Sequence, residues 1–154
     1  MRLALYEPDI PQNAGTLMRL CACMDVAVDL IEPCGFVLDD RRFRRSAMDY
    51  FDRLDLSRHL SWEAFSDAAP DRGGRLILLT TKADTVYTDF LFQSGDTLLV
   101  GREGGGVPDA VRVAADARLR VPMAASMRSL NVAVAAAMVL GEALRQTAGF
   151  SEGQ

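Results

Sequence analysis

Five short aliphatic runs punctuate this chain: RLALY (2–6), VAVDLIE (26–32), RLILLTT (75–81), DTLLVG (96–101) and ARLRVP (117–122). The stretches between them hold residues at helical rather than alternating spacing. Strand-like runs alternating with helical ones leave little choice of architecture. Each strand must return over the sheet before the next parallel strand is added, so the expectation is an α/β fold with a mostly parallel sheet flanked by helices. A weaker strand is expected near RLDLSRH (53–59). The chain has 154 residues, 49% of them hydrophobic, enough for one sizeable core. Residues 1–154 therefore read as a single domain, with 149–154 as a frayed tail.

Leu17, Leu20, Cys21 and Met24 fall at i, i+3, i+4 and i+7, which marks residues 12–24 as an amphipathic helix opened by Pro11. Its opposite face carries Gln12, Thr16, Arg19 and Cys23. SWEAFSDAAP reads as a short helix ended by Pro70, and DRGG as the turn into the next strand. The last element, SLNVAVAAAMVLGEALRQ (129–146), is rich in good helix formers, with Gly149 as its C-cap. It is apolar around most of its circumference and needs cover on several sides. Ala133, Ala137 and Gly141 recur every four residues; this small-residue line serves packing inside the monomer or a dimer contact equally well.

Charge and composition exclude several classes. A formal net charge of −4 argues against nonspecific coating of nucleic acid, which requires many cations, so any nucleic-acid site must be local. Lys82 is the one lysine among 17 basic residues. Cys21, Cys23 and Cys34 include no CxxC pair, so neither a disulfide framework nor a metal site is expected, and a reducing cytoplasm suits them. The longest apolar runs are too short for a signal-peptide core or a membrane span. His59 is the single histidine, which rules out paired-histidine chemistry. No GxSxG elbow supports a serine triad, so His59 is expected to be structural.

LLVGREGGGVP (98–108) places four glycines within six positions behind a strand. A Walker loop needs Lys and then Ser or Thr after its last glycine; Val107 and Pro108 stand there instead. A dinucleotide fingerprint needs GxGxxG, and GGGVPD ends in Asp109. The loop is therefore not a phosphate cradle of either kind. Its glycines permit positive φ and close backbone approach, Pro108 is placed at the first position of a helix, and Glu103 is expected to tie the loop to neighbouring chain. A second unusual stretch, RVPMAASMRSLNVAVA (120–135), brings Ser129 and Asn131 to the start of the final helix, where their polar groups can cap or bind.

Taken together, EPDIPQNAGTLMRLC, LLVGREGGGVP and LRVPMAASMRSLNVAVAAAMVLGEALRQ resemble, in order and spacing, the motifs of the SPOUT class of RNA methyltransferases. With IEPCGFVLDDRRFRRSAMDYFD and LLTTKA, the chain from residue 2 to 147 is similar to the small, single-domain branch that methylates the ribose 2′-oxygen of the wobble nucleotide, position 34, of tRNA. The resemblance implies S-adenosylmethionine as cofactor, a C-terminal deep trefoil knot and a homodimer. It also implies that backbone groups at Leu79, Gly101, Val121 and Ser129 hold the cofactor, while Asn131 pins the loop or touches the methionine end. One departure stands out: where the branch commonly carries an aromatic before EALRQ, this chain has Gly141.

A sulfonium methyl is already an activated electrophile, so the enzyme mainly aligns an oxygen behind it and manages one proton. The resemblance puts Arg19 at that oxygen and Asn13 beside it, orienting Arg19 or the loop. Because arginine holds its proton above pH 12, Arg19 is expected to bind phosphate and the polarised hydroxyl rather than act as a base. Arg41, Arg42, Arg44 and Arg45 surround Phe43 and are the candidate contacts to an anticodon loop, by guanidinium–phosphate pairing and base stacking. Competing readings are a ribose methyltransferase acting elsewhere on tRNA or rRNA, a noncatalytic RNA-binding dimer and a nucleotide-binding oxidoreductase. The failed GxGxxG disfavours the last.

Overall fold

The computed structural model describes residues 1–38, 50 and 53–150. Seven strands, β1 (Arg2–Tyr6), β2 (Ala27–Ile31), β3 (Leu56–His59), β4 (Leu76–Leu79), β5 (Thr85–Val86), β6 (Thr97–Val100) and β7 (Ala117–Arg120), form one sheet in the order β3-β2-β1-β6-β4-β7-β5. Every pairing is parallel. Parallel strands buried on both faces should be largely aliphatic, and the central ones are: in β1 Leu3 and Leu5 point to one side, Ala4 and Tyr6 to the other. Leu98 and Val100 in β6 follow Leu3 and Leu5, while Leu99 follows Ala4.

Helices cover both faces. On one lie α1 (Pro11–Met24) and the C-terminal helix α5 (Val132–Gln146), with Leu17, Met18, Cys21, Ala136, Val139 and Leu140 in the larger core. On the other, α2 (Trp62–Asp67) contributes Phe65 and α4 (Asp109–Ala114) contributes Val111. The five main strands and the weaker one at 56–59 all form. The two-residue β5 was not expected, because two residues carry no readable period.

Several local expectations are corrected. Pro70 does not end the helix at 62–67. It sits in the first turn of a second short helix, α3 (Ala69–Arg72), where no helical N–H is required of it. Pro108 is the N-cap of α4 rather than its first residue, extended at φ −60° and ψ 159°. Helix α5 starts at Val132, not 129, because Asn131 caps it by accepting from the N–H groups of Ala133 (2.8 Å) and Val134 (3.3 Å). At its other end Ala148, not Gly149, takes the left-handed conformation, at φ 50°, and the Gly149 N–H reaches back to Leu144 O at 2.9 Å. Of the small-residue line, Ala133 is buried in the monomer core, whereas a Cβ at Gly141 would meet nothing within 4 Å. The apolar groups left exposed on α5 are Val134 and Met138.

His59 is structural. Its Nε2 lies 2.7 Å from Asp29 Oδ1, and its ring meets Phe65 edge-on. The buried Asp29 carboxylate also accepts from Arg2 Nε at 2.7 Å. All three cysteines are free, and no group able to hold a metal ion occurs among the described residues. None of the described helices is long and apolar enough to cross a membrane. The arginines at 41, 42, 44 and 45, like residues 151–154 of the tail, lie outside the described residues.

Candidate functional site

A cavity of about 460 Å³ opens at the C-terminal ends of β4, β6 and β7. In parallel sheets this edge is where ligands bind, since strand ends and loops converge there with free backbone groups. Leu79 closes β4, Gly101 follows β6 and Val121 follows β7, and all three line the cavity. Ser129 and Asn131 line it from the approach to α5, and Asn13 from the first turn of α1. Six of the residues singled out in the sequence thus share one wall although they come from five separate segments. The volume falls in the range of small-molecule sites, and the mixture of Leu79, Val121 and Met123 with exposed backbone suits a nucleoside.

The loop after β6 explains the glycines. Arg102 and Gly106 pair as an antiparallel bridge, with N···O distances of 3.0 and 2.8 Å in the two directions. That folds the chain back onto Gly101, where an added Cβ would stand 2.6 Å from the carbonyl carbon of Gly106; Gly106 itself has φ +66°. Gly104 and Gly105 have ordinary room for a Cβ. The tight turn therefore depends on Gly101 and Gly106.

Glu103 ties this turn to α1 as expected: its carboxylate accepts from the Asp9 N–H at 2.9 Å and from Asn13 Nδ2 at 3.0 Å. Asn13 Oδ1 in turn accepts from Asn131 Nδ2 at 3.0 Å. Asn13 thus joins the glycine loop to the start of α5 and does not reach Arg19. Six residues of helix separate the two by about 9 Å and about 240° of rotation. Arg19 is not among the lining residues. It lies on the exposed face of α1 with its guanidinium 5.0 Å from the Tyr50 ring centroid.

Sequence reasoning passed over Arg102, which lines the cavity beside Glu103. Its Nη1 is 3.3 Å from Glu7 Oε2, and its Nε is buried without a hydrogen-bond partner. Nothing in the pattern VGRE distinguishes that arginine from a solvated one. Thr80, Thr81 and Met123 also line the cavity; the sequence places the two threonines at the end of the strand run 75–81, which stops at Leu79, and Met123 in the loop after Pro122.

Comparisons with known proteins converge. Residues 1–141 match the SpoU rRNA Methylase family. A Beijerinckia indica protein named tRNA (cytidine(34)-2′-O)-methyltransferase is 59% identical over 150 residues, 97% of this chain and 94% of its own. A solved structure described as giving insights into the 2-OH methylation of C/U34 on tRNA superposes with a TM-score of 0.89 at 39% identity, covering 94% of both chains. The SpoU methyltransferase AviRb from Streptomyces viridochromogenes, solved in complex with AdoMet, gives a TM-score of 0.86 at 28% identity, over 95% of this chain and 60% of that one.

Proposed function

Since the chain belongs to the SpoU rRNA methylase family, we propose that it is an S-adenosylmethionine-dependent methyltransferase acting on the ribose 2′-oxygen of nucleotide 34 of tRNA. The observation that carries this reading is the cavity at the ends of β4, β6 and β7, where the motif residues Asn13, Gly101, Ser129 and Asn131 converge. When bound, the cofactor supplies a methyl group already activated on a sulfonium. The protein's part is to hold it and to present one hydroxyl to it.

In this reading the backbone at Leu79, Gly101, Val121 and Ser129 holds the cofactor in the apolar slot. Asn131 and Asn13 keep the start of α5 and the glycine loop in register, so that the slot has one shape. Arg19 contributes positive charge, pairing with phosphate and stabilising the 2′-oxygen as its proton leaves. Its exposed position on α1 suits contact with RNA arriving from solvent. Arg41, Arg42, Arg44 and Arg45 grip the phosphates of the anticodon loop, compensating locally for the net negative charge of the chain.

The active unit is a homodimer in the cytoplasm, where tRNA is the substrate. Support for the dimer comes from Val134 and Met138, 50% and 41% exposed one turn apart on α5 and outside the cavity lining, an apolar pair that a monomer leaves uncovered. The C-terminal threading expected of the class accords with β7 standing between β4 and β5.

Incubation with labelled S-adenosylmethionine and total tRNA, followed by mass spectrometry of RNase fragments, tests the reading. The expected result is one added methyl on the ribose of nucleotide 34. A methyl at another position, or on rRNA, assigns a different substrate; cofactor binding without transfer favours a noncatalytic RNA-binding dimer. Sedimentation of the intact protein tests the dimer separately.

A further inference from the structure

Arg102 combines two properties. It supplies the cationic side chain of the cavity lining, and its Nε is shielded from solvent with no hydrogen-bond partner. In arginine, Nε and Nη2 project along the same edge of the guanidinium plane, the edge that meets two oxygens of one anion side by side. At two other arginines of this protein that edge is filled by a single carboxylate. Arg75 places Nε 2.9 Å from Asp96 Oδ1 and Nη2 2.7 Å from Asp96 Oδ2. Arg145 places both nitrogens 2.8 Å from the oxygens of Glu142. At Arg102 only Nη1 is engaged, by Glu7.

The side chain is held in this incomplete state from both ends. Its backbone is fixed by the bridge to Gly106, and Glu7, whose own N–H is tied to Ile31 O at 2.9 Å, secures one corner of the guanidinium. Its neighbour Glu103 is hydrogen-bonded to Asp9 and Asn13 and makes no ion pair with it. A desolvated donor without an acceptor is costly in a folded protein; the side chain as a whole is 40% exposed, so a small turn of the guanidinium brings Nε to a ligand oxyanion in the cavity and removes that cost.

The geometry points to Arg102 as the oxyanion receptor of the cavity, its Nε/Nη2 edge taking a two-oxygen anion side-on. This inference rests on the methyltransferase reading, which offers two sources of such a group: the carboxylate at the methionine end of the cofactor, and an RNA phosphate next to the target ribose. Arg102 is a binding and positioning residue and takes no proton.

The test compares wild type, Arg102→Gln and Arg102→Lys by calorimetry with S-adenosylhomocysteine and with methylthioadenosine, which keeps the nucleoside and sulfur but lacks the amino-carboxylate. Binding of unmodified tRNA is measured over a range of salt. If the cofactor carboxylate is the partner, Arg102→Gln weakens S-adenosylhomocysteine about tenfold or more and leaves methylthioadenosine unchanged. If RNA phosphate is the partner, both small molecules bind as before, tRNA weakens about tenfold, and its salt slope falls by about one. Lysine, which keeps the charge but not the edge, recovers part of either loss. No change with any ligand overturns the inference, as does an equal loss for both small molecules, which marks a purely structural tie through Glu7. Failure of wild type to bind S-adenosylhomocysteine at all sinks the methyltransferase reading instead.

Discussion

Asn13 and Asn131 meet at 3.0 Å across 118 residues of chain, and the orientation of both amides follows from their neighbours. The Glu103 carboxylate only accepts, so Asn13 turns its Nδ2 to it; the N–H groups of Ala133 and Val134 only donate, so Asn131 turns its Oδ1 to them. The remaining Asn13 oxygen and Asn131 amine are left facing each other as acceptor and donor. Replacing Asn13 with alanine breaks both of its links. We expect a loss of about 1 to 2 kcal/mol in stability and at least a tenfold fall in methyl transfer, read by thermal melts and by labelled-cofactor assay. Asn13→Asp, with a carboxylate facing Glu103, should be worse than alanine; the reverse order would remove the network from the account of the site.

Arg19 is separated from the cavity wall and exposed over Tyr50, so its loss should spare the cofactor. For Arg19→Ala we expect S-adenosylhomocysteine affinity within about twofold of wild type and transfer reduced about a hundredfold or more, in line with a removed transition-state charge contact. Unchanged turnover would exclude Arg19 from the reaction.

Gly101→Ala and Gly104→Ala form a matched pair. At Gly101 the new Cβ stands 2.6 Å from the Gly106 carbonyl carbon, whereas at Gly104 the nearest atom is Asp9 Oδ2 at 3.4 Å. The first should open the turn, lose about 1 to 3 kcal/mol and abolish calorimetric cofactor binding. The second should stay near wild type in both measurements.

His59→Gln should retain methyl transfer, because the imidazole bonds Asp29 on the α2 side of the sheet and touches no part of the cavity. Asp29→Ala should cost about 1 to 3 kcal/mol in denaturant titrations, since it takes from the partly buried Arg2 its main partner and leaves it Asp55 at 4.0 Å and Ser57 at 3.4 Å. A catalytically dead His59→Gln protein that still binds cofactor would overturn this assignment.

Burial pushes the Cys21 thiol up to about 12 and, with help from Glu32, the Cys34 thiol up to about 11. In the unfolded chain these groups ionise near pH 9, so above that pH the unfolded state binds fewer protons than the native one and folding stability falls as pH rises. Their contribution is intact below pH 9 and declines between 9 and about 12. Urea midpoints measured from pH 8 to 10.5 should drop less steeply for Cys21→Ala than for wild type. In native protein the exposed Cys23 should react with iodoacetamide well before Cys21.

The sheet was legible because its information is local. Runs such as RLALY and DTLLVG announce buried parallel strands by consecutive apolar residues without alternation, Leu3 to Tyr6 and Leu98 to Val100, and the 3.6-residue period over 12–24 declares one buried face of α1. Helix ends were less legible. The Pro70 and Gly149 readings missed because a proline is tolerated in a first turn, and because Ala148 takes the left-handed position that sequence preference assigns to glycine.

Sequence by itself determined the α/β architecture, the failure of the phosphate-loop templates and, through motif order, the family. Only the tertiary structure decided which motif residues share a wall. It placed Asn13, Gly101 and Asn131 together, set Arg19 apart on the exposed face of α1, and exposed Arg102 as a cation with an unfilled edge. The physical reason is that strand and helix patterns arise from neighbours in sequence. The site is made by crossovers that bring strand ends and helix starts together from opposite ends of the chain, and the bonding left over at a side chain such as Arg102 exists only once those ends have met.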